Sequence, residues 1–308
     1  PSAVSSRSSH AMAKTPVAAR SGRLQVLKTH KMYVGGAFIR SESGKVVPAL
    51  SPDGKTTLAQ ICRGSRKDFR DAVVAARKAF GKWHGTGAYL KGQILYRAAE
   101  MLEMRTEEME REIMRSTGAN AAAARREVAD AVELLVHYAG WTDKFTAIFG
   151  SVNPVSSPHF NFTYPEGTGV VVVFCPDKPS FVALVHLVAA TILTGNTCIV
   201  VPSETAPLPA LTFGEILATS DLPGGVVNIL SGLRSDIAPT AATHMDVNAI
   251  VNGCEDASLD KTLHEGTATN LKRYARHTVP VGDWRVADRP QWILDTIEFK
   301  TAWHPIGW

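Results

Sequence analysis

The sequence predicts an α/β fold: a doubly wound parallel sheet preceded by an N-terminal hairpin and a layer of helices. Three observations predict it. Four short apolar runs, "GVVVVFC", "TCIVVP", "GVVNIL" and "VNAIVN", lack the alternation of strands with one wet face, so they read as strands buried on both sides. Helical segments near 181–193 and 209–219 separate the first three runs, the order that right-handed βαβ crossovers produce. Ahead of them, the apolar spacing shifts from the strand period to the helix period.

The elements follow in chain order. "KMYVGGAF" reads as a strand entering a Gly-Gly turn, and "VVPALSPDGKTTLAQICRGS" as two β arms around a Pro-Asp-Gly turn. Ser65 stands where a helix N-cap belongs, with Asp68 at the capping-box position. Phe69, Val73, Ala76 and Phe80 then trace an amphipathic helical stripe. Two further helices are expected over 93–116 and 125–144, giving three helices after one hairpin. From 145 to 164 Pro, Ser and aromatic residues interrupt any helical period, so an extended arm or loose hairpin is expected. The last two apolar runs are joined by "SGLRSDIAPTAATHMD".

The bulk numbers exclude several classes. In 308 residues, 45% hydrophobic, there is enough apolar material for one large domain or two modest ones. A net charge of +4 gives no field that would select nucleic acid, and no apolar run approaches a bilayer span. Cys62, Cys175, Cys198 and Cys254 lie far apart without metal-ligand spacing, which suits core thiols in a reducing intracellular compartment, cytoplasm or mitochondrion, and no metal site. The first 41 residues hold seven Lys or Arg and no Asp or Glu. Residues 1–30 are therefore expected to be a linker from a preceding domain or a transit-like segment.

Ligands of doubly wound sheets gather beyond the carboxyl ends of the strands. Those ends are Cys175-Pro176-Asp177-Lys178, Pro202-Ser203-Glu204, Ser231-Gly232 and Asn252-Gly253-Cys254. No GxGxxG loop follows any of them, so residue chemistry alone supports only an atypical nucleotide site. Cys254 is the one candidate nucleophile there, with Glu255 and Asp256 adjacent but no base with a geometric case. His186, inside an apolar helical run, reads as a core residue.

The order "VVVVFCP…LTGNTCIVVPSETAPL…DLPGGVVNILSG", with "YVGGAF", "SPDGK", "AVVAARKAFGKW" and "RAAEMLEMR" ahead of it, resembles the nucleotide-binding domain of the aldehyde dehydrogenase superfamily over about residues 31–253. The resemblance implies a Rossmann-like domain of 31–144 and 165–290 that binds NAD(P) without a GxGxxG loop. It also implies a β-arm of 145–164 plus 293–308 for oligomerisation. In the family, a Pro-Trp-Asn-Phe-Pro motif supplies an oxyanion-binding Asn, and Lys-Pro-(Ala/Ser)-Glu supplies ribose contacts. Aligned on Pro176, this chain has Asp177 for the Trp and Lys178 for the Asn. Val201 replaces the ribose Lys, while Pro202, Ser203 and Glu204 remain, and Phe-Thr-Gly-Ser becomes Val251-Asn252-Gly253-Cys254. The Glu-Leu-Gly-Gly base and Gly-Gln-x-Cys nucleophile segments have no counterpart, and the 54 residues after Cys254 are fewer than the family's catalytic domain needs.

A narrower resemblance, carried by "FCPDK", "VVPSE", "SDLPGGVVNIL", "TNLKRY" and "FKTAWHP", is to the short second region of two-region aldehyde dehydrogenases of the sixteenth class. It implies a non-catalytic lobe that packs against a catalytic aldehyde dehydrogenase lobe or subunit. Pro176, Asp177, Lys178, Pro202, Ser203, Glu204, Gly232 and Gly253 are then vestiges of a cofactor site, with no cofactor expected. Two alternatives stay open: an NAD(P)-binding part of an active enzyme whose nucleophile lies elsewhere, and a nucleotide sensor resting on Glu204 and Gly232. The segment Glu255–Pro290, near Trp284 and Trp292, is the candidate to fill the cleft.

Overall fold

The computed structural model of the chain describes residues 26–277 and 290–306. The chain enters on β1 (Thr29–His30), then β2 (Met32–Val34) and β3 (Ala37–Ile39), an antiparallel pair turned at Gly35-Gly36. β4 (Val46–Leu50) and β5 (Thr57–Cys62) form the expected Pro-Asp-Gly hairpin, with β1 parallel to β5 on its other side.

Four helices follow, not three: α1 (Arg66–His84), α2 (Ala88–Met104), α3 (Thr106–Thr117) and α4 (Ala121–Ala139). α1 starts as expected, because the Ser65 hydroxyl accepts the Asp68 N–H and the Asp68 carboxylate accepts the Ser65 N–H. Its Phe69, Val73 and Ala76 are buried and Phe80 is half-buried. The helix expected over 93–116 begins earlier and breaks at Arg105, whose backbone leaves the helical region at φ −112° and ψ 20°. No Gly or Pro announces that break. It keeps Leu95 and Leu102 on one side, and Met109 and Ile113 on the other, all within one core.

The arm differs from expectation at its start: α5 (Phe145–Phe149) is a short helix. Phe145 is buried and Phe149 stacks on Trp141 at 6.0 Å, so aromatic burial overrides the weak helical pattern. β6 (Ser151–Asn153) and β7 (His159–Gly167) then run antiparallel.

The doubly wound unit runs β8 (Val170–Phe174), α6 (Val182–Ile192), β9 (Thr197–Val201), α7 (Leu208–Leu217), β10 (Val227–Ile229), α8 (Arg234–Thr243), β11 (Ala249–Asn252), α9 (Ala257–Thr267) and β12 (Arg273–Arg276). Its sheet order is β12-β11-β8-β9-β10-β2-β3, with every neighbour from β12 to β10 parallel. All residues of β8, β9, β10 and β11 are buried, which is why those runs show no alternation. Strand succession reverses between β8 and β11, so the switch-point crevice opens beside Asp177 and Gly253.

After α10 (Gln291–Leu294), β13 (Ile297–Pro305) pairs with β7 along nine residues, from Ile297 opposite Gly167 to Pro305 opposite His159. The arm is thus a separate three-stranded sheet, β13-β7-β6. Asn196 fastens its base: the side-chain amide donates to the Thr296 carbonyl at 2.7 Å and accepts the Gly169 N–H at 2.8 Å. No helix among the described residues is long and apolar enough to cross a membrane.

Of the described part of the segment Glu255–Pro290, Glu255 and Asp256 line the cleft and the rest turns away from it. Its residues form α9 and β12, and β12 extends the sheet on the far side of β11. Trp284 and the 1–25 part of the expected linker lie outside the described residues. Trp292 packs instead against His186 and His277, with ring centroids 4.2 and 3.9 Å apart.

Candidate functional site

The strand ends converge on one carboxylate. β8 leads into Cys175 and Pro176, both buried, which deliver Asp177 to the crevice, while the next residue, Lys178, stands exposed on the rim. Asp177 Oδ1 accepts from Ser203 Oγ at 2.9 Å, from the Glu204 N–H at 2.9 Å and from the Thr205 N–H at 3.4 Å. Both of its oxygens also receive the Arg234 guanidinium, Oδ2 from Nη1 and Oδ1 from Nη2, each at 2.9 Å. Arg234 Nη2 donates further to the Cys175 carbonyl at 2.7 Å.

Arg234 opens α8, and sequence reading missed it. A cation was nevertheless signalled: Asp177 follows a fully buried strand, where a carboxylate needs a counter-charge. Burial pushes the Asp177 carboxyl upward, but the Arg234 bonds and the Ser203 hydroxyl outweigh that and hold it below its ordinary value. The Arg234 side chain is 10% exposed; burial pulls its pKa down, and the Asp177 pairing raises it above the usual value.

The other expected residues serve the same closure. Ser203 Oγ also accepts the Ala206 N–H at 2.9 Å, fixing the turn after β9 and Pro202. The Glu204 carboxylate accepts the Arg234 N–H. Gly232, at φ +143°, lies so close to the β5 end that an added Cβ would meet Gly64 N at 2.8 Å. Gly253 is similarly tight, with Pro176 Cδ 3.1 Å from where a Cβ would stand.

Cys254 is brought to this crevice but is not arranged as a nucleophile. It is 2% exposed, and its thiol donates to the Cys175 carbonyl at 3.2 Å. Burial pushes its pKa up to about 12 against the opposing pull of Arg234. Asp256, its neighbour, is engaged in capping α9 through the Ser258 and Leu259 N–H groups. We expect Cys254 to resist alkylation by iodoacetamide at pH 8 in the folded protein and to react in 6 M guanidinium (a concentration on the order of complete unfolding). Mass spectrometry of the labelled peptide checks this, and rapid native labelling would refute the burial. The other three cysteines are likewise buried and unpaired. His186 is buried with Nε2 3.0 Å from the Tyr138 hydroxyl.

A cavity of about 840 Å³ remains at the crevice. Its walls are Pro48, Leu50 and Pro52 of the β4–β5 hairpin on one side and the strand ends on the other. Among the described residues, no group of three or more His, Cys, Asp or Glu could hold a metal ion.

A parallel α/β sheet with its crevice between β8 and β11 and an antiparallel hairpin on one edge defines a dinucleotide-domain type of fold. The model of the aldehyde dehydrogenase family matches residues 38–275, and the chain belongs to that family. Cytosolic 10-formyltetrahydrofolate dehydrogenase of Xenopus tropicalis is 32% identical over 228 residues, 72% of this chain and 25% of that protein. D-glyceraldehyde dehydrogenase (NADP(+)) of Thermoplasma acidophilum is 28% identical over 277 residues, 89% of this chain and 55% of the relative. The NAD+ complex of aldehyde dehydrogenase from Bacillus cereus superposes with a TM-score of 0.75 at 26% identity, covering 81% of this chain and 50% of that one. The chain thus spans between a quarter and about half the length of these relatives.

Proposed function

We propose that this chain is a non-catalytic aldehyde dehydrogenase-like lobe that assembles with a catalytic, NAD-dependent aldehyde dehydrogenase lobe or subunit. The observation that carries this reading is the state of the strand ends. Cys254 is buried with its thiol donated to the Cys175 carbonyl, and that burial keeps it protonated at neutral pH. Where the family places an oxyanion-binding Asn, Lys178 stands exposed on the rim, and the neighbouring Asp177 is committed to Arg234.

The arm supplies the assembly surface in this reading. Among the described residues β13 and β6 pair only with β7, and Phe160, Phe299 and Trp303 are exposed on that sheet. A long strand with one open edge and exposed aromatic side chains is normally covered by another chain or lobe. A second reading, an NAD(P)-binding part of an active aldehyde dehydrogenase with its nucleophile elsewhere, is favoured by the cavity at the switch point and by the likeness to an NAD+ complex.

Light scattering coupled to size-exclusion chromatography, with every chain identified by mass, tests the first reading. The expected result is a companion polypeptide with an intact Gly-Gln-x-Cys segment that is lost when Trp303 and Phe299 become Asp, or a covalently joined one whose packing against this lobe, read by limited proteolysis, loosens in the same variant. Aldehyde oxidation by this chain alone would overturn it.

A further inference from the structure

Helix α2 has two faces with apolar residues, and one of them lies open among the described residues. Ile94, Leu95, Ala98 and Leu102 point into the core. On the other side Tyr89, Gln93, Tyr96 and Glu100 recur at helical spacing, with Leu90 beside them. Tyr89, Leu90 and Tyr96 are 78%, 50% and 52% exposed, where a wet helix face normally carries charged residues. The two tyrosines alone leave on the order of 200–300 Å² of side chain in water. These side chains line a groove of about 920 Å³ whose other wall is Val136 and the turn after α4. Gly92 brings the walls together: a Cβ there would stand 2.8 Å from Thr142 Oγ1 and 3.0 Å from the Ala139 carbonyl oxygen.

The charges on the rim narrow the choice of occupant. Arg97 pairs with Glu100 at 2.9 Å and approaches Asp221 at 3.9 Å, and Lys144 pairs with Asp143 at 3.0 Å. Both signs stand in close pairs, so the rim has no strong field that would select a polyanion or a basic segment. We infer that this groove receives the same face of a second copy of this chain, α2 against the α2–α4 seam, across a two-fold axis. A two-fold contact sets a patch against itself, so it needs apolar residues at its centre and both signs of charge at its rim. This groove has both, with Arg97 and Lys144 of one copy placed to meet carboxylates of the other. Tyrosine suits such a place, because its ring is apolar while its hydroxyl stays hydrogen-bonded. A stable interface buries about 800 Å² on each partner, and the exposed tyrosine surface supplies about a third of that before Leu90, Val136 and the rim are added.

Sedimentation velocity of the full chain over a dilution series tests this, with Tyr89→Asp, Leu90→Asp and, on the other wall, Val136→Lys. Asp is favourable in the first turn of α2 and Lys in the last turn of α4, so circular dichroism and urea unfolding should match the parent. We expect a dimer whose dissociation constant rises at least about tenfold in each variant, while Phe299→Asp and Trp303→Asp on the arm leave it unchanged. A parent chain that stays monomeric well above micromolar concentration would overturn the inference. So would a dimer that persists in the folded α2 and α4 variants and dissolves in the arm variants. Hydrogen-exchange protection of 89–100 that follows a companion polypeptide, and not this chain's own concentration, would give the face to the catalytic lobe and likewise overturn the second copy. The non-catalytic reading stands apart from all three outcomes, because aldehyde oxidation by this chain alone decides it.

Discussion

Replacing Trp83 by alanine should lower the free energy of unfolding by about 4 kcal/mol, the largest loss expected from any single core truncation described here. Trp83 lies in the last turn of α1 and is 1% exposed, and its indole N–H donates to the Ile192 carbonyl at 2.9 Å, in the last turn of α6. Truncation thus opens a large cavity and removes one hydrogen bond, while the Ile192 carbonyl keeps the Gly195 N–H at 3.0 Å, so the cavity carries most of the loss and the bond about 1 kcal/mol. Trp83→Phe separates the two: it keeps most of the ring volume and loses the donor, so about 1 kcal/mol is expected. Urea unfolding followed by circular dichroism reads both values. A Trp83→Ala loss under about 1 kcal/mol would mean that the helical layer does not depend on this contact for its seat against the sheet.

Much of the fold was legible because local chemistry and tertiary packing agree there. Ser65 and Asp68 cap α1 as their spacing predicts, and the four apolar runs are the four buried parallel strands. The break at Arg105 was not legible, since it is set by how two helical halves reach one core and leaves no turn residue behind. Nor was α5, where aromatic burial decides, or β12, whose "RYAR" is a half-exposed edge strand with no apolar run. The strand ends were legible as positions but not as a network. Asp177, Ser203, Glu204, Gly232 and Cys254 were singled out by alignment, yet Arg234, which binds two of them, lies 57 residues from Asp177. Such a pair becomes visible only when the strand order is known. The unusual Asp at that position was the one available hint, because a carboxylate delivered by a buried strand demands a cation nearby.

That demand can be measured. Arg234→Met keeps the apolar length of the side chain and removes its charge, leaving Asp177 in the crevice without a counter-ion. Breaking a fully buried pair costs about 3–5 kcal/mol, and since the Asp177 side chain is 37% exposed we expect the lower figure of about 2–3 kcal/mol at pH 7. The pH dependence carries the diagnosis. In the parent chain the Asp177 pKa is held below its unfolded value, so its contribution is present above about pH 4 and is lost as pH falls through the folded value. In the variant, burial is opposed only by the Ser203 hydroxyl and the backbone N–H groups, so the same carboxyl titrates higher than in the parent chain and its ionised form contributes less. The stability gap between the two proteins should therefore be widest at neutral pH and shrink in acid, as Asp177 takes up its proton first in the variant and then in the parent chain. Unfolding curves at pH 7 and in acid decide the matter. A gap of equal size at both would assign the loss to packing around Arg234, and the crevice would then be closed by shape and not by charge.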